Sequence, residues 1–104
     1  MNTLGIDYAD KIREEARLII LKALAEQTNE SLSSSLIEQV LARFAIHQDR
    51  PWIHQQLEYL RNMDAVTVID AGSVKIATLA DLGHRHLDRH IAIEGVKRPS
   101  RPGA

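Results

Sequence analysis

Cysteine is absent from these 104 residues, which excludes disulfides, thiolate metal sites and thiol nucleophiles together and fits a reducing compartment. Aromatic side chains are scarce: with one Phe, one Trp and two Tyr, a core must be assembled mainly from Leu, Ile, Val and Ala. No apolar run is long enough for a signal peptide or membrane span, and Asp7 and Asp10 stand near the start. The expectation is a cytosolic protein with no membrane partner. Net charge is small as well, at −1, so the chain lacks the positive field of a protein whose affinity rests on neutralising phosphates. The basic residues Lys97, Arg98 and Arg101 gather at the end without an acidic neighbour, leaving the remainder mildly acidic.

The length suits one domain. Ile12, Ala16, Ile19, Ile20, Ala23 and Leu24 recur at helical spacing between Lys11, Glu14, Glu15 and Lys22. They predict a helix over 7–27, and the additional Leu18 and Leu21 place it at the centre of the core. Residues 30–32 suit a very short strand. Ser33 can cap a second helix, and Ser35 with Glu38 matches the capping-box spacing as a competing start. Its apolar stripe would be Leu36, Ile37, Val40, Leu41 and Phe44, ending near Ala45.

After a turn at 46–49, Asp49 is placed to cap a third helix over 50–63, where the early Pro51 costs little because the first turn has spare N–H groups. Ile53, Leu57, Leu60 and Met63 give this helix one buried face, so Arg50, His54, Gln55, Glu58, Arg61 and Asn62 look outward. Val66-Thr67-Val68-Ile69, the turn Asp70-Ala71-Gly72-Ser73, and Val74-Lys75-Ile76-Ala77-Thr78 read as a β-hairpin. A last helix is predicted over 79–91 through Leu79, Leu82, Leu87 and Ile91, weakened by Gly83. From Gly95 onward the Gly, Pro and basic composition predicts an unpacked tail. The expected organisation is therefore a domain over 1–94 and a flexible basic tail over 95–104, in the class of mainly α proteins with a small β-hairpin (α+β).

The segment Ile53-His54-Gln55-Gln56-Leu57-Glu58-Tyr59-Leu60-Arg61-Asn62-Met63-Asp64-Ala65-Val66 resembles the signature stretch of ArsR-like repressors. Ile53, Leu57, Leu60 and Val66 fill its apolar places, and Asp70-Ala71-Gly72-Ser73 with residues 74–79 matches the wing. Over nearly its full length, including Gly95-Val96-Lys97-Arg98-Pro99, the chain is similar to small winged-helix proteins encoded in Mu-like phages and prophages. The resemblance implies a winged helix-turn-helix fold and a DNA-binding transcriptional regulator of phage origin. Two features depart from those repressors: a cysteine metal motif is impossible here, and the reading helix carries the anionic Glu58 among its outward positions.

On that reading, Arg50 can reach phosphate or guanine, His54 and Gln55 can meet base edges, and Arg61 can hold the backbone. Lys75 in the wing and Lys97, Arg98 and Arg101 in the tail add phosphate contacts. The competing reading makes these the solvated side chains of a helix that uses only its inner face, with a basic arm able to dock on an acidic protein surface. Trp52 and Tyr59 fit core or edge packing, or an interface anchor. His86 and His90, four residues apart and near His84, are the one candidate for metal chemistry, but two imidazoles do not make a site, so no metal or cofactor is expected. No catalytic constellation or phosphate loop is present, and an enzyme is not expected.

Two functions follow. One is a DNA-binding regulator acting as a homodimer, with two reading helices in half-sites a helical turn apart and dimer surfaces on the first helix and, through Leu82, Leu87 and Ile91, on the last. The other is a winged-helix protein–protein interaction module in phage development, with little DNA affinity and a phage protein as partner.

Overall fold

Seven elements follow one another in the order the sequence predicts: α1 (Tyr8–Ala25), β1 (Ser31–Ser33), α2 (Ser34–Arg43), α3 (Arg50–Asn62), β2 (Val66–Ala71), β3 (Val74–Leu79) and α4 (Asp81–Leu87). They belong to a computed structural model that describes residues 7–101. Helix α1 starts at Asp7, whose carboxylate accepts from the Asp10 backbone N–H. It buries Leu18, Ile19, Ile20, Leu21 and Leu24, each worth roughly 1.5–3 kcal/mol of apolar transfer. The short β1 pairs antiparallel with β3, and β3 with β2, giving the sheet order β1-β3-β2.

Local chemistry sets the joints. Ser33 is the N-cap that α2 uses, accepting from the Leu36 N–H, so the competing start at Ser35 is not taken. Asp49 caps α3 by accepting from the Trp52 N–H at 3.0 Å, with Pro51 in the first turn. Helices α2, α3 and α4 all end on a residue at positive φ, Ala45, Asp64 and Arg89. Each time the next N–H reaches back to close the last turn: Ile46 to the Leu41 carbonyl, Ala65 to Leu60 and His90 to Arg85. This is the Schellman pattern, here without its usual glycine. The wing turns in two residues, Gly72 and Ser73, because Ala71 pairs with Val74, and Gly72 supplies the positive φ that such a turn needs.

Five expectations need correction. Leu36 and Phe44, expected on the inner stripe of α2, are exposed, because that helix buries Ser34, Ile37 and Leu41 instead. Met63 ends α3 as its C-cap and is only half-buried. The last helix is shorter than predicted: Leu79 belongs to β3, and the turn at Arg89 closes α4 before Ile91. Gly83 is no weakness in α4, because a Cβ there would strike the Ala65 carbonyl oxygen, and the glycine lets α4 seat against the start of the wing.

The fifth correction concerns residues 95–101, expected as an unpacked tail. They form a strap around α1, with Val96 and Pro99 buried. The Lys97 N–H donates to the Glu14 carbonyl, and Arg17 donates to the Gly95 carbonyl. The Arg89 side chain bonds the Pro99 carbonyl. The domain thus extends past its expected boundary, and residues 102–104 lie outside the described part.

Candidate nucleic-acid interface

Ile53, Gln56, Leu57 and Leu60 bury the inner face of α3. Gln56 escaped the sequence reading because it is polar. Its amide donates to the Trp52 carbonyl at 3.2 Å and its oxygen accepts from Arg17 Nε at 3.0 Å. Arg17 also lies 3.6 Å from the centre of the Tyr59 ring, and burial pulls its pKa below the ordinary guanidinium value. Tyr59 Oη donates to the Glu94 carbonyl at 2.7 Å, and Trp52 packs on the core. Both aromatics are therefore used in packing within the domain.

The opposite face of α3 is open to solvent. Gln55, Arg61 and Asn62 are exposed on it, and Pro51, His54, Gln55, Glu58, Tyr59 and Asn62 border one shallow depression along the helix. At its start Arg50 Nη1 approaches Ser73 Oγ in the wing turn at 3.4 Å, while Arg50 Nε is buried without a partner.

His54 is fastened rather than free. Its Nε2 lies 2.9 Å from Ser34 Oγ, and the same buried oxygen accepts from the Lys75 N–H at 3.0 Å. With one lone pair of Ser34 so engaged, its hydroxyl proton is available to a neutral imidazole, which makes Nε2 the acceptor. Burial first, then Lys75 and Arg50, lowers the His54 pKa and favours that neutral form. The residue joins α2, α3 and the wing.

The cations of the wing side are matched by anions. Arg61 Nη2 donates to Glu58 at 2.8 Å, and Lys75 Nζ to Asp70 at 2.7 Å. Each pair lowers the pKa of its carboxylate and raises that of its base through the hydrogen bond between them. Glu58, Arg61, Asp70 and Lys75 line one groove between α3 and the wing, where two positive charges face two negative ones.

Of the expected DNA contacts, Arg50, His54, Gln55, Arg61 and Lys75 come together on α3 and the wing. Lys97 and Arg98 do not join them. Lys97 pairs with Glu15 at 3.1 Å, and at about 100° per residue Glu15 stands about 200° around α1 from Arg17, which faces α3. Arg98 borders a recess on that same far side of α1.

The histidines also separate. His86 is fully buried: Nδ1 accepts from the Ile93 N–H at 3.0 Å, so Nε2 carries the proton and donates to the Lys97 carbonyl at 2.9 Å. No ring nitrogen is left for a metal, and His86 instead bolts the strap to α4. His84 meets Glu30 at 2.8 Å, and His90 is exposed. The sequence hint of this role was a histidine at an inward position of a helix just before the basic segment.

The fold and the placement of α3 beside a two-stranded wing define a winged-helix protein. Among solved structures the chain is similar to AbsC, a MarR family transcriptional regulator from Streptomyces coelicolor, with a TM-score of 0.56 and 18% identity. The likeness covers 84% of this chain and about 55% of the length of AbsC. No family model matches the chain. In sequence it is 30% identical over 95 residues to protein gp26 of Escherichia phage Mu, covering 91% of this chain and 97% of the Mu protein. The chain belongs to the family of that Mu protein.

Proposed function

We propose that the chain is a DNA-binding transcriptional regulator of phage or prophage origin, acting as a homodimer and reading duplex DNA with the outer face of α3 and the wing. The observation that carries this reading is the presentation of α3. Its inner face is locked by Ile53, Leu57, Leu60 and the Gln56–Arg17 bond, while its outer face is a polar strip open to solvent beside the wing. A rigid helix with Gln55 outward is suited to a major groove, where a side-chain amide matches adenine. The ArsR-like stretch supports the same reading, and the phage relative supports the phage origin. Arg50 and Arg61 supply phosphate contacts, and Glu58 must turn away from Arg61 as DNA approaches, which limits affinity.

The test is titration of duplexes from the neighbouring phage region across a salt series. Arg50→Ala and Arg61→Ala are expected to weaken binding and to reduce the salt slope by about 0.9 for each phosphate the variant no longer neutralises. Gln55→Ala is expected to lower the preference for the cognate site. If all three leave affinity and slope unchanged, the α3 reading is wrong.

The pairing of Arg61 with Glu58 and Lys75 with Asp70 favours a second reading, a winged-helix interaction module with little DNA affinity and a phage protein as partner. Sequence-indifferent DNA binding, together with loss of a defined phage protein complex on Gln55→Ala or Asn62→Ala, would favour it.

A further inference from the structure

A recess of about 190 Å3 lies over α1, on the side turned away from α3. Leu18, Ile19 and Ala23 of α1 and Val40 of α2 line its apolar part, and Phe44, 58% exposed, stands at its edge. The C-terminal strap closes it through Lys97, Arg98 and Ser100. This wall is set before anything binds. The Lys97 N–H is bonded to the Glu14 carbonyl and the Pro99 carbonyl to the Arg89 side chain, so the backbone is fixed on both sides of Arg98.

The charges around the recess say what it takes. Glu15, Lys22, Glu26, Lys97 and Arg98 all border it. Lys97 and Glu15 already engage each other at 3.1 Å. Lys22 and Arg98 are exposed, and among the described residues neither is in an ion pair. Lys22 stands one turn before Glu26, which is the weaker order for an intrahelical pair. Lys22 and Arg98 against Glu26 leave one positive charge unmatched beside an apolar floor.

That balance separates the possible occupants. A nucleic acid brings many negative charges past Glu15 and Glu26, and a second copy of the same face would double the surplus. A neutral apolar molecule would cover the floor and leave the charge as it was. A single carboxylate on an apolar body does both, covering the floor and cancelling the charge. The volume holds the body to about one ring, far short of a long acyl chain. An aromatic ring can also pack against Phe44.

We propose that this recess is a binding site for a small aromatic monocarboxylate, with its ring on Leu18, Ile19 and Val40 against Phe44 and its carboxylate held by Lys22 and Arg98. The site goes beyond the proposed function and does not rest on it, since it shares no residue with the outer face of α3 or the wing.

The test is calorimetric titration of the full chain with 3-phenylpropionate, followed in parallel by backbone amide NMR shifts. Saturable binding is expected with a Kd on the order of 0.1–1 mM for a ligand of this size, and the largest shifts at Ala23, Val40, Phe44 and Arg98. 3-Phenylpropionamide has the same shape without the charge and is expected to bind at least about tenfold more weakly. Lys22→Gln and Arg98→Gln should each weaken the acid about tenfold, and Glu26→Gln, which removes the opposing anion, should strengthen it about threefold. All three positions are exposed, so these variants are expected to fold as the wild type does. No saturable binding of the acid up to about 10 mM overturns the site. Equal binding of acid and amide, or indifference to both Lys22→Gln and Arg98→Gln, overturns the carboxylate and leaves an unspecific apolar recess. Shifts confined to Arg50, Gln55 and Arg61 would place the acid on the α3 face and overturn the recess as its site. The salt-dependent DNA titration is decided separately, because none of these variants alters α3 or the wing.

Discussion

On the outer face of α3 Arg61 rests on Glu58, and in the wing Lys75 rests on Asp70, side chain to side chain with water at hand. The C-terminal strap is held by the opposite kind of contact, through the buried ring of His86, the half-buried Arg17 and backbone carbonyls. Exposed pairs cost little to break, about 0–1 kcal/mol. A buried donor left without its acceptor costs about 1–3 kcal/mol. The strap is thus built for stability, and the α3–wing face is built from contacts that can be exchanged for those of a ligand.

The sharpest way to break this contrast is His86→Ala. It removes the acceptor of the Ile93 N–H and the donor to the Lys97 carbonyl, and it leaves a cavity where the imidazole stood. The expected loss is about 3 kcal/mol, read as a lowered midpoint in urea. The folded fraction should keep its DNA affinity. A loss below about 1 kcal/mol would mean that the strap is not held through this residue.

Next in size is Gly95→Ala. Gly95 sits at φ +80°, and a Cβ there would run into the Tyr59 hydroxyl and the Arg17 guanidinium. Strain and displacement together predict a destabilisation of about 2 kcal/mol, with loss of the Tyr59–Glu94 bond visible in the tyrosine fluorescence or ring NMR signals. An unchanged midpoint would show that the strap crosses α1 differently.

On the other side of the comparison, Glu58→Gln is expected to shift stability by less than about 0.5 kcal/mol, since only an exposed pair is removed. It frees Arg61 and takes an anion out of the groove between α3 and the wing. DNA affinity should therefore rise about fivefold at low salt, and the gain should fade as salt rises. A large loss of stability with no gain in affinity would reverse the roles assigned to the two regions.

The elements themselves were legible because their signals are local. Ser33 and Asp49 announce their helices through caps three residues long, and Ile53, Leu57 and Leu60 mark an inner face by spacing alone. What escaped depends on partners far away in the chain. Gln56 is buried only because Arg17, 39 residues earlier, supplies a donor. His86 is buried only because Ile93 and Lys97 bring backbone groups to both ring nitrogens. Polar composition made 95–101 look like tail, yet its fixing bonds run mostly through its carbonyls and N–H groups, which composition does not reveal. Phe44 erred the other way: its apolar spacing predicted burial, and the fold leaves it facing outward. For the candidate site, the sequence located α3 and the wing but not the ion pairs within them, because Asp70 and Lys75 meet only once the hairpin registers.

His54 lies where the two regions' rules meet, on the DNA-facing helix but held as an interior joint through Ser34. Burial, Lys75 and Arg50 lower its pKa below the ordinary 6.5. The fold therefore prefers the neutral ring, and its stabilising contribution is complete above the ordinary value and lost as pH falls through the lowered one. Protonation turns Nε2 into a donor and leaves the Ser34 hydroxyl proton without an acceptor. Wild type should lose stability between pH 7 and 5 more steeply than His54→Gln, which cannot titrate, in parallel urea titrations. Above pH 7 the two curves should run parallel. If both fall equally in acid, His54 is not the joint between α2, α3 and the wing, and its ring is free to meet a base.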